Sequence, residues 1–257
     1  MSAEFIFRFD EPIICTAIHN GHQVSKLVEE NLAISAEDRL REEDPFTEYF
    51  TKISNNRIIA LKSRFEFDLN RSRDKAIYQK PEDAWGLVTR KREYTQEEKD
   101  IVLQGYDDFY RRVELNVQEM IDIYGKCFVW DIHSYNHHRL GSDQPFDSEE
   151  LNPEIILGTS NLTEEWFPLV AEIQEVLLEQ NYFGRKIDAR INVKFPGGYF
   201  PRWLNNEFQG KVCCIALEFK KTFMDEWTSV FYPDVMKRLR ELLMTTKGSI
   251  TKYLLKV

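Results

Sequence analysis

Five histidines occur in the chain, in two groups: His19 and His22, then His133, His137 and His138. Each group directly follows an apolar run of strand character, Ile13-Ile14-Cys15-Thr16-Ala17-Ile18 and Cys127-Phe128-Val129-Trp130-Asp131-Ile132. A catalytic zinc takes three protein ligands and keeps a fourth position for water, and His-x-x-His offers two of the three from one turn. The spacing therefore points to His19, His22 and His133 as a ligand set. A lone His-x-x-His outside a helix also fits metal-free histidines on the surface or in the core, so a metal site requires further residues beside it.

Three further features occur in the order a metallohydrolase needs. Arg64 and the segment Asp68-Leu69-Asn70-Arg71 concentrate guanidinium forks and an amide where an anionic substrate could be held in bidentate fashion. Asp131 stands two residues before His133, on the same strand face, placed to orient that imidazole from behind. Glu218 is embedded in the otherwise apolar run Val212-Cys213-Cys214-Ile215-Ala216-Leu217-Glu218-Phe219. A buried unpaired carboxylate is costly, so Glu218 is expected to be paired, metal-linked or a general base whose pKa an apolar wall raises toward the working range. Each feature also has a plain structural reading: an arginine on a solvated loop, a strand-end acid, a glutamate paired with Lys220 or Lys221.

Side chains from separate segments meet at one point when they stand at the carboxyl ends of strands in an open α/β sheet. The rest of the sequence supplies such a frame. Strands are expected within Phe5 to Ile18 and at Arg57 to Leu61, Cys127 to Ile132, Ile155 to Leu157, Ile187 to Val193 and Val212 to Phe219. Helices are expected from Ser35, with its S-x-x-D cap, over Pro45 to Ile53, from Thr95 to the Gly125 stop, over Thr163 to Gln180, and from Pro233 to Met244. The polar stretch after Arg71, through about Tyr94, reads as a long surface excursion of the kind that carries function. Alternating strands and helices imply a three-layer α/β fold, a mixed, mostly parallel sheet with helices on both faces. No linker, repeat or low-complexity tract divides residues 1–257, so one domain is expected. Trp203, Phe223, Trp227 and Phe231 read as core, with a partner-covering surface as the alternative.

Composition narrows the partners. Hydrophobic residues make up 42% of 257 and charged residues 30%, a balance suited to one substantial core. A net charge of −9 argues against nucleic acid and anionic membranes, and means that an anionic substrate must meet local positive charge. Cys15, Cys127, Cys213 and Cys214 show no C-x-x-C spacing and sit in apolar runs, so buried free thiols are expected. The first ten residues mix Glu4, Arg8 and Asp10 among apolar positions, unlike a signal peptide, and a cytoplasmic protein is expected.

Taken in order, His19-Asn20-Gly21, Arg64, Asp68-Leu69-Asn70-Arg71, Asp131-Ile132-His133-Ser134, Pro196-Gly197-Gly198-Tyr199, Leu217-Glu218 and Met224-Asp225-Glu226 resemble the pattern of the N-formylglutamate amidohydrolases. That family is similar in fold to the zinc carboxypeptidases, a phosphorylase/hydrolase-like fold. The resemblance spans most of the chain and implies one Zn2+ per chain, with His19 and His133 as ligands. The third ligand is His22, which stands where carboxypeptidases place an acidic ligand three residues after the first histidine, with Asp44 as the competing candidate. It also implies Glu218 as the base, Arg64 polarising the carbonyl or binding the substrate, Asn70 and Arg71 clamping a substrate carboxylate, Gly198 allowing close backbone approach, and Tyr199 lining the pocket. The implied activity is hydrolysis of a small anionic N-formyl or N-acyl amino acid. A carboxypeptidase acting on peptides would use the same residues, and a non-catalytic binding module on the same fold is the remaining alternative. Phe219-Lys220-Lys221 follows the glutamate where an arginine is common in the family, a departure that bears on the substrate.

Overall fold

The computed structural model describes residues 1–255. Its centre is a seven-stranded sheet ordered β1-β3-β2-β4-β9-β5-β8. In chain order these strands are β1 (Ala3–Ile6), β2 (Ile13–Ala17), β3 (Asn56–Ala60), β4 (Cys127–Tyr135), β5 (Ile155–Gly158), β8 (Ala189–Ile191) and β9 (Val212–Lys220), and a separate hairpin joins β6 (Asn181–Tyr182) to β7 (Arg185–Lys186). Strands β3, β2, β4 and β9 run parallel, whereas β1 is antiparallel to β3 and β5 antiparallel to β9. The sheet is thus mixed and mostly parallel, as expected.

Every residue of β2 and β4 is buried, which explains why both read as apolar runs without polar alternation. Alternate residues feed opposite layers. Phe128, Trp130, Ile132, Ile215 and Leu217 pack with α5 (Phe167–Leu178), α7 (Pro233–Thr245) and α8 (Lys247–Leu254). Ile14, Cys127, Val129 and Cys214 point to the other face, under α4 (Gln96–Tyr124) and α6 (Tyr199–Glu207). Helices α1 (Lys26–Asn31), α2 (Ala36–Glu42) and α3 (Thr47–Thr51) lie in the connection from β2 to β3. All four cysteines are buried free thiols. Among the described residues, no helix is long and apolar enough to cross a membrane.

The local signals behave as their chemistry dictates. Thr95 and Glu98 form the reciprocal cap that starts α4, and Gly125, at φ 77°, ends it. The expected helix over Pro45 to Ile53 is shorter, because Phe46 adopts a left-handed conformation and α3 starts only at Thr47. Strand β8 is likewise shorter than expected, since Asn192 turns to φ 55° directly after it. The aromatic stretch divides: Phe223 is fully buried and Trp203 packs on the α4 layer, while Trp227 and Phe231 stay substantially exposed.

The chain reverses direction across the sheet at β2, with β3 added on one side and β4 on the other. Such a switch point opens a crevice beyond the carboxyl ends of the strands. Gly21 lets the turn after β2 pack against the backbone just past β3, because a Cβ there would stand 2.4 Å from the Leu61 carbonyl carbon and the Lys62 carbonyl oxygen, both backbone. No rotamer change relieves that clash. Gly21→Ala is therefore expected to cost about 1–3 kcal/mol, the usual range for overpacking, in urea unfolding.

Candidate active site

On the α4 and α6 face the sheet is apolar at the start of its central strands and polar at their ends. Ile14, Val129 and Cys214 give way to Thr16, Asp131, His133 and Glu218 on that face, with His133 directly beside Glu218 in the β4–β9 register. His19 lies just past β2, its ring centroid 4.8 Å from that of His133. The third member is Asp44, two residues beyond α2, whose N–H donates to the His19 carbonyl at 3.0 Å. One oxygen of Asp44, Oδ2, lies 3.4 Å from His19 Nδ1 and 3.1 Å from His133 Nδ1. His19, Asp44 and His133 are all buried and each offers one ligand atom, all within 4.8 Å of one another.

Each imidazole is held from behind by a second carboxylate. His19 Nε2 pairs with Asp68 Oδ1 at 2.7 Å, and His133 Nε2 with Asp131 Oδ2 at 2.9 Å. These acids are themselves anchored: Thr16 donates to Asp131 at 2.9 Å, and Tyr78 and Arg64 donate to Asp68 Oδ2 at 2.5 and 3.0 Å. Both Nδ1 atoms are thereby aimed at Asp44, the arrangement by which outer carboxylates orient histidine ligands.

The electrostatics follow from this packing. Burial alone would raise the Asp44 pKa, but the hydrogen bonds from His133 and His19 outweigh it and hold the carboxyl well below its usual range. Burial likewise opposes ionisation of Asp68, and Arg64 and His19 overcome it. For His133, burial would lower the pKa, yet Asp131, Asp44 and Glu218 push it well above the ordinary value. The site is a buried concentration of negative charge, which a divalent cation neutralises as readily as an imidazolium proton does. The donor set of two imidazoles and one carboxylate suits zinc and its first-row neighbours.

Glu218 differs from these acids. Its carboxyl makes no hydrogen bond among the described residues, and burial pushes its pKa up to about 8 despite the nearby His133. Lys220 and Lys221 do not pair with it. Lys220 reaches the Asn152 carbonyl at 2.8 Å, and Lys221 reaches those of Arg41 and Glu43 at 2.7 and 2.8 Å.

Glu218 and the His19–Asp44–His133 cluster line one cavity of about 140 Å³, which Arg64, Asn70, Trp85 and Arg139 also enter. Arg64 is fixed by Asp68 and by Tyr78 Oη at 2.9 Å, with its guanidinium 4.8 Å from the Trp85 ring centroid. Asn70 Oδ1 accepts the Phe200 N–H at 2.9 Å at the start of α6, which leaves the Asn70 amide N–H groups free of partners among the described residues. Gly198 is where that contact requires no side chain, since a Cβ would stand 2.3 Å from the Asn70 amide. Arg71 is turned away from the cavity, with Nη2 on the Asp83 carbonyl at 2.7 Å and Nε 3.5 Å from Asp68. With Gly198 and Tyr199 it lines an adjoining groove, joined to the cavity at Arg64 and Asn70.

The expectation that His22 completes the cluster needs correction. His22 is half-exposed and its Nδ1 pairs with Glu43 Oε2 at 2.5 Å, so the third corner beside His19 and His133 is Asp44. Two residues between histidines fix separation along a chain, but the Gly21 turn sends the second imidazole outward. His137 and His138 also stand apart: their backbone N–H groups donate to Glu226 and their rings lie against Phe146. Trp85, Tyr78 and Arg139 were not singled out from the sequence. Arg139 enters the cavity by way of a bidentate pair with Glu42, at 3.1 and 3.2 Å, a contact between segments nearly a hundred residues apart that no local spacing signals.

The sequence matches the N-formylglutamate amidohydrolase family over residues 11–224, a span that contains the whole cluster, its outer carboxylates and Glu218. The chain belongs to the N-formylglutamate amidohydrolase family. Comparison with curated proteins returns no match. Among solved structures, the chain is similar in fold to an N-formylglutamate amidohydrolase from Ralstonia eutropha JMP134, with a TM-score of 0.73, 16% identity and 98% of each chain covered. A gene product of Agrobacterium tumefaciens is similar at a TM-score of 0.69 and 15% identity, with 97% of this chain and 96% of that one covered. Membership of the family makes this chain a hydrolase of amide bonds.

The geometry separates the two candidates for the third ligand. In zinc titrations against a competing chelator, His22→Ala is expected to bind within about twofold of the wild type. Asp44→Ala is expected to lose more than the roughly 10–100-fold that removal of an outer partner costs.

Proposed function

We propose that the protein is a zinc-dependent amidohydrolase that removes a formyl or other small acyl group from an N-acyl amino acid. The observation that carries this reading is the meeting, in one cavity, of two imidazoles on a shared carboxylate oxygen with the unpartnered carboxyl of Glu218. One zinc ion per chain, held by His19, Asp44 and His133, would acidify a water molecule and polarise the amide carbonyl.

Glu218 removes a proton from the attacking water, whose oxygen forms a bond to the carbonyl carbon. The same carboxyl then delivers that proton to the leaving nitrogen as the C–N bond breaks, releasing a carboxylic acid and a free amine. Arg64, immobilised by Asp68 and Tyr78, donates toward the carbonyl oxygen as negative charge develops there. The Asn70 amide, fixed by α6, and Arg71 at the adjoining groove hold the substrate carboxylate. The apolar rings of Trp85 and Phe195 on the cavity wall face the acyl group. The small volume of the cavity supports a short acyl group and a single scissile amide.

Glu218→Gln is expected to reduce kcat on N-formylglutamate by about 10²–10⁴-fold, the usual contribution of a general base, while zinc content stays at one per chain. Retained turnover in that variant, or zinc-free protein that hydrolyses at the full rate, would refute the mechanism. Asn70→Ala is expected instead to raise KM, because it removes a donor to the bound carboxylate and leaves the reacting groups in place.

A further inference from the structure

The groove beyond Asn70 is larger than the cavity, about 370 Å³ against 140 Å³, and its walls are basic. Arg64, Arg71, Lys75 and Arg202 line it, with Asp68 as the one acid among its lining residues. Asp68 is buried and its oxygens are engaged by His19, Tyr78 and Arg64, so it offers the groove no exposed negative charge. Of the acids nearby, Asp107 is held by Arg73 at 2.7 Å and Asp108 by Arg111 at 2.5 Å, while the exposed Asp74 lies close enough to Lys75 to feel its charge without forming an ion pair with it.

Lys75 and Arg202 are exposed, and neither makes an ion pair among the described residues. Arg202 instead lies 5.5 Å from the centroid of Tyr199, which also lines the groove. In a chain of net charge −9, a groove lined by four cations and one acid that opens into the cavity is a local reversal of sign. Such a groove focuses anions toward the site.

The two spaces meet at Arg64 and Asn70, the residues placed at the scissile amide and at the substrate carboxylate. A substrate that ended at that carboxylate would leave Lys75 and Arg202 unused. We propose that the groove is a subsite for an acidic residue attached to the amino acid being deacylated, so that the preferred substrates are N-acyl acidic dipeptides. This inference rests on the amidohydrolase reading above. The acyl amide occupies the cavity, the backbone of the first residue crosses Asn70 and Arg71, and the carboxylates of the second residue meet Lys75 and Arg202. The glycines at 197 and 198 present backbone without side chains along this route.

The test measures binding of product-type probes by calorimetry, which needs no turnover: glutamate, glutamyl-glutamate and glutamyl-lysine, against wild-type protein and the double variant Lys75→Glu, Arg202→Glu. Wild-type protein is expected to bind glutamyl-glutamate about tenfold more tightly than glutamyl-lysine, a preference that shrinks with added salt because the cations are exposed. The double variant is expected to lose that preference while its affinity for glutamate is unchanged, and the conservative variant Lys75→Arg, Arg202→Lys to keep it. Equal binding of the two dipeptides by the wild type, or an unaltered preference in the charge-reversed variant, overturns the subsite. Failure of the amidohydrolase reading would show separately, as absence of hydrolysis of every N-formyl substrate with the dipeptide preference intact.

Discussion

Two imidazoles share one oxygen of Asp44, and the surrounding structure is arranged to make that contact tolerable. Asp44 is the last of three consecutive buried acids, Glu42, Glu43 and Asp44. Three adjacent carboxylates removed from water would be prohibitive if each were not compensated. Glu42 is held by Arg139 and by the Asn136 amide, Glu43 by Arg39, Ser63 and His22, and Asp44 by the two histidines and Ser134. Lys221, itself buried, ties the backbone of the same segment through the Arg41 and Glu43 carbonyls. His22 therefore has a role that its position beside His19 disguises: it helps neutralise the neighbour of a ligand.

That compensation ties the cluster to distant parts of the fold. The acidic segment lies between α2 and α3, its partners come from β4, from the loop after β4 and from the end of β9, and the outer acid Asp68 comes from the excursion after β3. The crevice at the switch of strand order is where these segments converge. Burying the polar ends of β2, β4 and β9 beneath that excursion gives the histidines their orientation and leaves the Glu218 carboxyl without a hydrogen bond among the described residues.

Much of the frame was legible in the sequence, because it depends on local rules. Apolar runs mark β2, β4 and β9, the Thr95 cap and the Gly125 stop mark α4, and histidines at the ends of two such runs mark the site. Glu218 was visible as an acid in an apolar strand, and Asp131 by its two-residue offset from His133. What stayed hidden depends on tertiary approach. Asp44 entered only through the family resemblance, as the alternative to His22, because it lies 25 positions from His19 and nothing in the local spacing decides between the two. A triplet of acids followed by Pro45 was the available signal, since a surface helix rarely ends in three unpaired carboxylates. Helix α6 was missed because Pro196-Gly197-Gly198 reads as a loop, and its start is stabilised by Asn70, far away in sequence. Arg71 could be read as a substrate contact from its motif, but only the fold shows that its side chain turns toward the groove.

The register of β4 and β9 has a further consequence. Nine consecutive residue pairs, from Cys127 with Val212 to Tyr135 with Lys220, join these two strands, and His133 and Glu218 are one of those pairs. The spacing between a cluster histidine and the lone carboxyl is set by this central ladder and not by a loop. Fluctuations that separate the two must part the middle of the sheet, so their backbone amides belong to the slowest-exchanging part of the molecule. The chemistry and the core would then be lost in one event on heating, leaving no populated form in which the sheet persists around a disassembled site.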